Sequence, residues 1–160
     1  MRRALLAVLA LPLLTGCGLL GGGNLTMIEV AGRYEFTEFT LDPVSGAVRD
    51  ADLLGDQVSD DLTLLLREDG TASIQRLRGE RVDDTVASGS YSISGKDVRV
   101  DFDGDVDDLY MPDRITFRGG DRQLRAEVFR EGVNMEDISG DYRGITRADV
   151  NLKIRLRRIG

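Results

Sequence analysis

An all-β fold, an antiparallel up-and-down barrel of about eight strands, is what this sequence predicts, and three observations carry the prediction. From Ile28 onward apolar residues recur at every second position, the period of a half-buried strand. The runs are short, and most are joined by hairpin-length turns rich in Gly and Asp. No segment is long and periodic enough for a long helix. One face of each run is apolar and the other polar, as in an antiparallel sheet wet on one side. Left open, such a sheet would present two unpaired edges, and closure removes both. A β-sandwich is the alternative.

The first elements are not part of that body. Arg2 and Arg3 precede Ala4–Leu14, eleven residues without a polar side chain. A membrane-spanning helix needs roughly 20 residues. The run therefore reads as the apolar core of a signal peptide, residues 1–16. Residues 17–27 read as a tether, flexible because Gly18, Gly21, Gly22 and Gly23 favour neither helix nor strand. The barrel domain is expected over 28–160.

Within it, Val30, Gly32, Tyr34 and Phe36 share one face of a first strand. Phe39 and Leu41 fall on the opposite parity, which predicts a bulge near Thr37 and Glu38. Leu62, Leu64 and Leu66 form the next strand, and Glu68-Asp69-Gly70-Thr71 turns it into one carrying Ala72 and Ile74. Gly89, Tyr91 and Ile93 alternate with serines, then Gly95-Lys96-Asp97 leads to Val98, Val100 and Phe102. Ile115 and Phe117 precede the Gly119-Gly120-Asp121 turn, after which Leu124, Ala126 and Val128 return. Val150, Leu152, Ile154 and Leu156 close the chain. Short helical turns are expected only in Asp50–Val58 and Met135–Ile138. Tyr34, Phe36, Leu64, Leu66, Ile74, Tyr91, Val100, Phe102, Phe117, Leu124, Leu152 and Ile154 should point inward.

Composition narrows the chemistry. The 160 residues hold 28 acids, 21 bases, one Cys and no His or Trp. Without His there is no Ser-His-Asp or Cys-His nucleophile and no His-ligated zinc. One Cys excludes an internal disulfide and a CxxC pair. A formal charge of −7 argues against nucleic acid as a partner.

Two resemblances add to this reading. Leu14-Thr15-Gly16-Cys17 resembles a bacterial lipobox. The resemblance implies cleavage before Cys17, acylation of its thiol and anchoring by lipid chains, at about 0.8 kcal/mol per buried methylene. Loss of Arg2 and Arg3 would leave 19 bases against 28 acids, a net of −9. Gly18 follows the cysteine where an aspartate would imply inner-membrane retention, which in a host with two membranes favours the outer one, facing the periplasm or the cell surface. Gly32-Arg33-Tyr34 in turn resembles the lipocalin Gly-x-Trp signature with Tyr for Trp. Gly89 to Val100 is similar to the middle hairpin of small lipocalin-like lipoproteins. That likeness implies a last-strand arginine packed over Tyr34, with Arg155 and Arg157 as candidates.

Three constellations remain. Asp101, Asp103, Asp105, Asp107 and Asp108 surround Gly104 as a calcium loop would. The EF-hand pattern started at Asp101 fails at Val106 and Pro112, so a solvated acidic turn is expected. Lys153, Arg155 and Arg157 alternate on one outer face and Arg158 follows. They are expected to pair across strands with Glu127, Glu35 or nearby acids; facing anionic lipid headgroups is the alternative. Finally, nineteen residues from Asp42 to Asp60 connect two strands. Loops of that length are usually functional, and here Leu53-Leu54 is expected to plug the barrel mouth as a lid.

These readings predict a membrane-anchored envelope lipoprotein whose barrel binds a small hydrophobic ligand or lipid. Tyr34, Phe36, Leu53, Leu54, Tyr91 and Phe102 would line the site, and Cys17 would carry the anchor. The alternative is a non-enzymatic structural or protein-interaction lipoprotein with a filled barrel. No enzyme activity, cofactor, resident metal or nucleic-acid partner is expected.

Overall fold

A computed structural model describes residues 23–56, 61–79, 81–104, 106–120 and 122–160. The segment expected to be a signal peptide, Cys17 and the glycines of the expected tether up to Gly22 lie outside the described residues. Period-two patterning becomes nine strands in one sheet: β1 (Gly32–Pro43), β2 (Ala51–Asp52), β3 (Leu62–Leu66), β4 (Thr71–Arg78), β5 (Arg81–Ser94), β6 (Asp97–Phe102), β7 (Arg114–Gly120), β8 (Gln123–Val133) and β9 (Ala148–Ile159). All pairings between neighbours are antiparallel. β1 pairs with β3 on one side and β9 on the other, so eight strands close into an up-and-down barrel, with β2 hung outside on β1. This is the expected fold class, and its architecture is consistent with a lipocalin-like barrel.

The predicted bulge lies at Thr37, where the β1–β9 register shifts between Phe36 and Glu38. Its hydroxyl donates to the Arg155 carbonyl at 3.2 Å, which holds the extra residue in place. Phe36 and Phe39 thereby reach the same side, ring centroids 5.4 Å apart. Of the twelve residues expected inside, eleven are buried and Phe36 is half-buried. β1 pairs with β3 only as far as Glu35, so Phe36 sits where these strands part.

Three features differ from expectation. Val30 belongs not to strand one but to α1 (Met27–Val30), a single turn. Thr26 and Glu29 close its N-terminus as a reciprocal capping box, so the ordered domain starts before residue 28. Second, β4 and β5 continue into an arm, Leu77 facing Val82 and Arg78 facing Arg81. Arg81 to Thr85 are exposed on both faces, so this arm has no core to write an alternating pattern into the sequence. Third, β7 and β8 pair over three residues each and then part. On the β8 side of that gap the Arg130 guanidinium donates to the Tyr110 carbonyl. Short helical turns occur where expected, in α2 (Leu53–Asp56) and at Met135–Asp137, and also at Asp107–Leu109 and Gly140–Tyr142.

Candidate functional site

The barrel has one end made by tight turns and one made by long connections. At the first end α1 lies across three turns. The Leu25 amide donates to the Gly95 carbonyl at 2.8 Å, Met27 approaches Gly70, and Leu25 rests on Gly119. Tyr34 and Tyr91 stand just inside. The Tyr34 hydroxyl donates to the Val30 carbonyl and the Tyr91 hydroxyl to the Arg67 carbonyl, both at 2.7 Å. Burial pushes both phenols above the usual tyrosine range, partly opposed at Tyr34 by the Arg158 charge.

Arg158, rather than Arg155 or Arg157, is the last-strand arginine of this end. Register sets it opposite Tyr34, its guanidinium fills the space above Gly32, and Nη1 donates to the Glu29 carbonyl at 2.9 Å. A side chain on Gly32 would displace it. Arg155 and Arg157 face outward and pair with Glu38 and Glu35. Lys153 pairs with Asp42 at 2.5 Å, which raises the ammonium pKa and lowers that of the carboxyl. The basic ladder is therefore a set of cross-strand ion pairs. The missed arginine was legible in the alternation: Arg158 continues the inward parity of Leu152, Ile154 and Leu156, whereas Arg155 and Arg157 share the outward parity of Lys153.

At the other end, residues 44–56, 106–113 and 134–147 converge. Leu53 is fully buried and Leu54 half-buried, so the long connection does bring its leucine pair onto the core. Val106, Met111, Met135, Ile138 and Tyr142 are buried beside the core as well. The Tyr142 hydroxyl donates to the Asp50 carbonyl at 2.8 Å, Arg49 lies 6.0 Å from the Tyr142 ring and its guanidinium pairs with Asp141. Two connections are thus latched together over the mouth.

The six residues expected to line one ligand site are split between these ends. Tyr34 and Tyr91 occupy the turn end, Phe102, Leu53 and Leu54 the latched end, and Phe36 the seam between β1 and β3. Between them Leu41, Ile74, Val98, Val100, Phe117 and Leu152 are all 0% exposed. Two grooves border the outward side chains of β7, β8 and β9, and a third lies where Gly23 to Leu25 meet Lys96, Gly119 and Gly120.

In the acidic turn, Asp101 accepts from Arg114 and Arg99, and the Arg114 hydrogen bond is the main cause that holds its carboxyl below the usual range. Asp103 is exposed, and Asp105 lies outside the described residues. No protein-family model matches this chain, and no curated protein matches it in sequence.

Proposed function

We propose that the protein is a lipid-anchored envelope lipoprotein whose barrel is a filled, rigid, non-catalytic body acting through its outer surface. The anchor is the acylated Cys17, after removal of residues 1–16. Packing of the interior is the observation that carries this reading. A void wide enough for one water leaves accessible area on the side chains around it. Six inner side chains spread over five strands have none. An eight-stranded barrel is just wide enough for its own side chains to fill, and this one adds Leu53 and Met135 from its connections. A carrier reading has one observation in its favour, the half-buried Phe36 at the β1–β3 seam.

Two measurements test the proposal. Cys17→Ala should abolish metabolic lipid labelling and leave an uncleaved precursor; persistent labelling overturns the anchor. Native mass spectrometry of protein extracted from its host should give the acylated chain alone. A retained hydrophobe, released by Phe36→Ala, would make the protein a carrier instead.

A further inference from the structure

Register puts three arginines side by side on the outside of the barrel. Arg118 of β7 faces Arg125 of β8, and Arg125 faces Arg155 of β9. Directly opposed residues in antiparallel strands have Cβ atoms about 4.5–5.5 Å apart, and like charges so placed repel. The row ends in acids, Asp97 beside Arg118 and Glu38 beside Arg155. Its centre does not: Arg125 donates to the Gln123 side-chain carbonyl at 2.8 Å and has no carboxylate partner among the described residues. The neighbouring rows are balanced, Arg157 by Glu35 and Lys153 by Asp42. An acidic chain therefore keeps, between two other arginines, a guanidinium with no carboxylate partner among the described residues.

Grooves flank that centre. One runs along the β7–β8 hairpin past Arg118, Gly120 and Arg125, and a second runs past Arg125, Lys153 and Arg155, each about 410 Å³. Gly119 and Gly120 also border a third groove that holds Gly23, Asn24 and Leu25, the first described residues of the chain. The basic row thus adjoins the point where the chain leaves the barrel toward Cys17. The six steps from Cys17 to Gly23 span at most roughly 20 Å. Once Cys17 is in the bilayer, this face is confined near the headgroups.

We propose that the β7–β8–β9 face is a docking surface for anionic phospholipid headgroups, with a lipid phosphate held by Arg125 between Arg118 and Arg155. Guanidinium binds phosphate oxygens through paired N–H donors, and an anion at this spot converts the repulsion within the row into shared attraction. The proposal rests on the lipoprotein reading for its location. It adds that the barrel has a fixed orientation on the membrane, lying on this face.

Acylation consumes the only native thiol, so a single introduced cysteine can carry a fluorophore on the acylated full chain. Thr116→Cys reports on the arginine face, and Thr85→Cys on the far arm. Each labelled protein is reconstituted into neutral phosphatidylcholine vesicles or vesicles enriched in phosphatidylglycerol, both doped with spin-labelled headgroups. Quenching at position 116, and not at 85, should appear with phosphatidylglycerol and fade with salt. Arg125→Gln should weaken this association about fivefold, corresponding to ~1 kcal/mol for one arginine at an anionic surface. Arg78→Gln, the same charge change on the arm, should leave it intact. Equal quenching at both positions, or an unchanged Arg125→Gln protein, overturns the proposal. So does inorganic phosphate bound with the same Arg125 dependence while vesicle composition makes no difference, which would assign the site to a free anion. The acyl mass on Cys17 is read from the same sample. Without it the lipoprotein reading fails, and the docking surface is then judged by sedimentation of the soluble protein with the same vesicles.

Discussion

Gly89 and Gly120 separate what a glycine does in this sheet from where it merely stands. At Gly89 of β5, opposite Phe102, a Cβ would overlap the Asp101 carbonyl oxygen and the Phe102 Cα. These are backbone atoms and cannot swing aside. At Gly120 of β7 a Cβ meets nothing. Gly89→Ala should therefore cost about 1–3 kcal/mol, the range for overpacking, while Gly120→Ala stays within about 0.5 kcal/mol. Urea unfolding of the two variants decides it, and equal stabilities would contradict the close approach of β5 to β6. The glycine at position 89 was visible in the sequence as a break in the Tyr91-Ile93 apolar face. Its reason was not, because the crowding comes from a strand thirteen residues away.

At the scale of the strand, the outer face is stitched by pairs that titrate. Asp101 is held by Arg114 and Arg99, and Asp42 by Lys153, and both carboxyls lie below their usual range. A carboxyl whose pKa is lower folded than unfolded stabilises the fold above its unfolded value, near pH 3.9. That contribution is lost as pH falls through the folded value. Melting temperature should thus be flat through neutrality and drop below about pH 4, less steeply in Asp42→Asn and Asp101→Asn proteins. A drop that is identical in both variants would show that these pairs carry none of it. Alternation along β9 made the pairing itself legible, since Lys153, Arg155 and Arg157 had to share a face. Strands were legible wherever one side met the core, and illegible in the arm of Arg81 to Thr85, where neither side does. Thr26-x-x-Glu29 marked α1 as plainly as any motif in the chain, but the apolar Ile28 and Val30 beside it fit a strand equally well.

Over the whole molecule, the question is whether the latched end is a gate or a lid sealed by packing. The latch pairs Arg49 with Asp141, side chains 72% and 64% exposed, and exposed ion pairs contribute little. The seal beneath it is apolar: Leu53 is completely buried, as is Met135. Sequence could place Leu53-Leu54 over the mouth from loop length alone. It could not foresee that residues 106–113 and 134–147 reach the same spot, because their contacts join segments far apart in the chain. If packing is the seal, Arg49→Ala should leave stability nearly unchanged and the barrel closed to a hydrophobic dye. Leu53→Ala should behave otherwise, costing about 2–5 kcal/mol and opening a cavity into which the dye partitions. The ordering of the two variants is what matters. Dye uptake by Arg49→Ala at undiminished stability would make the latch a gate and the interior a binding site, and the filled-barrel reading would fall with it.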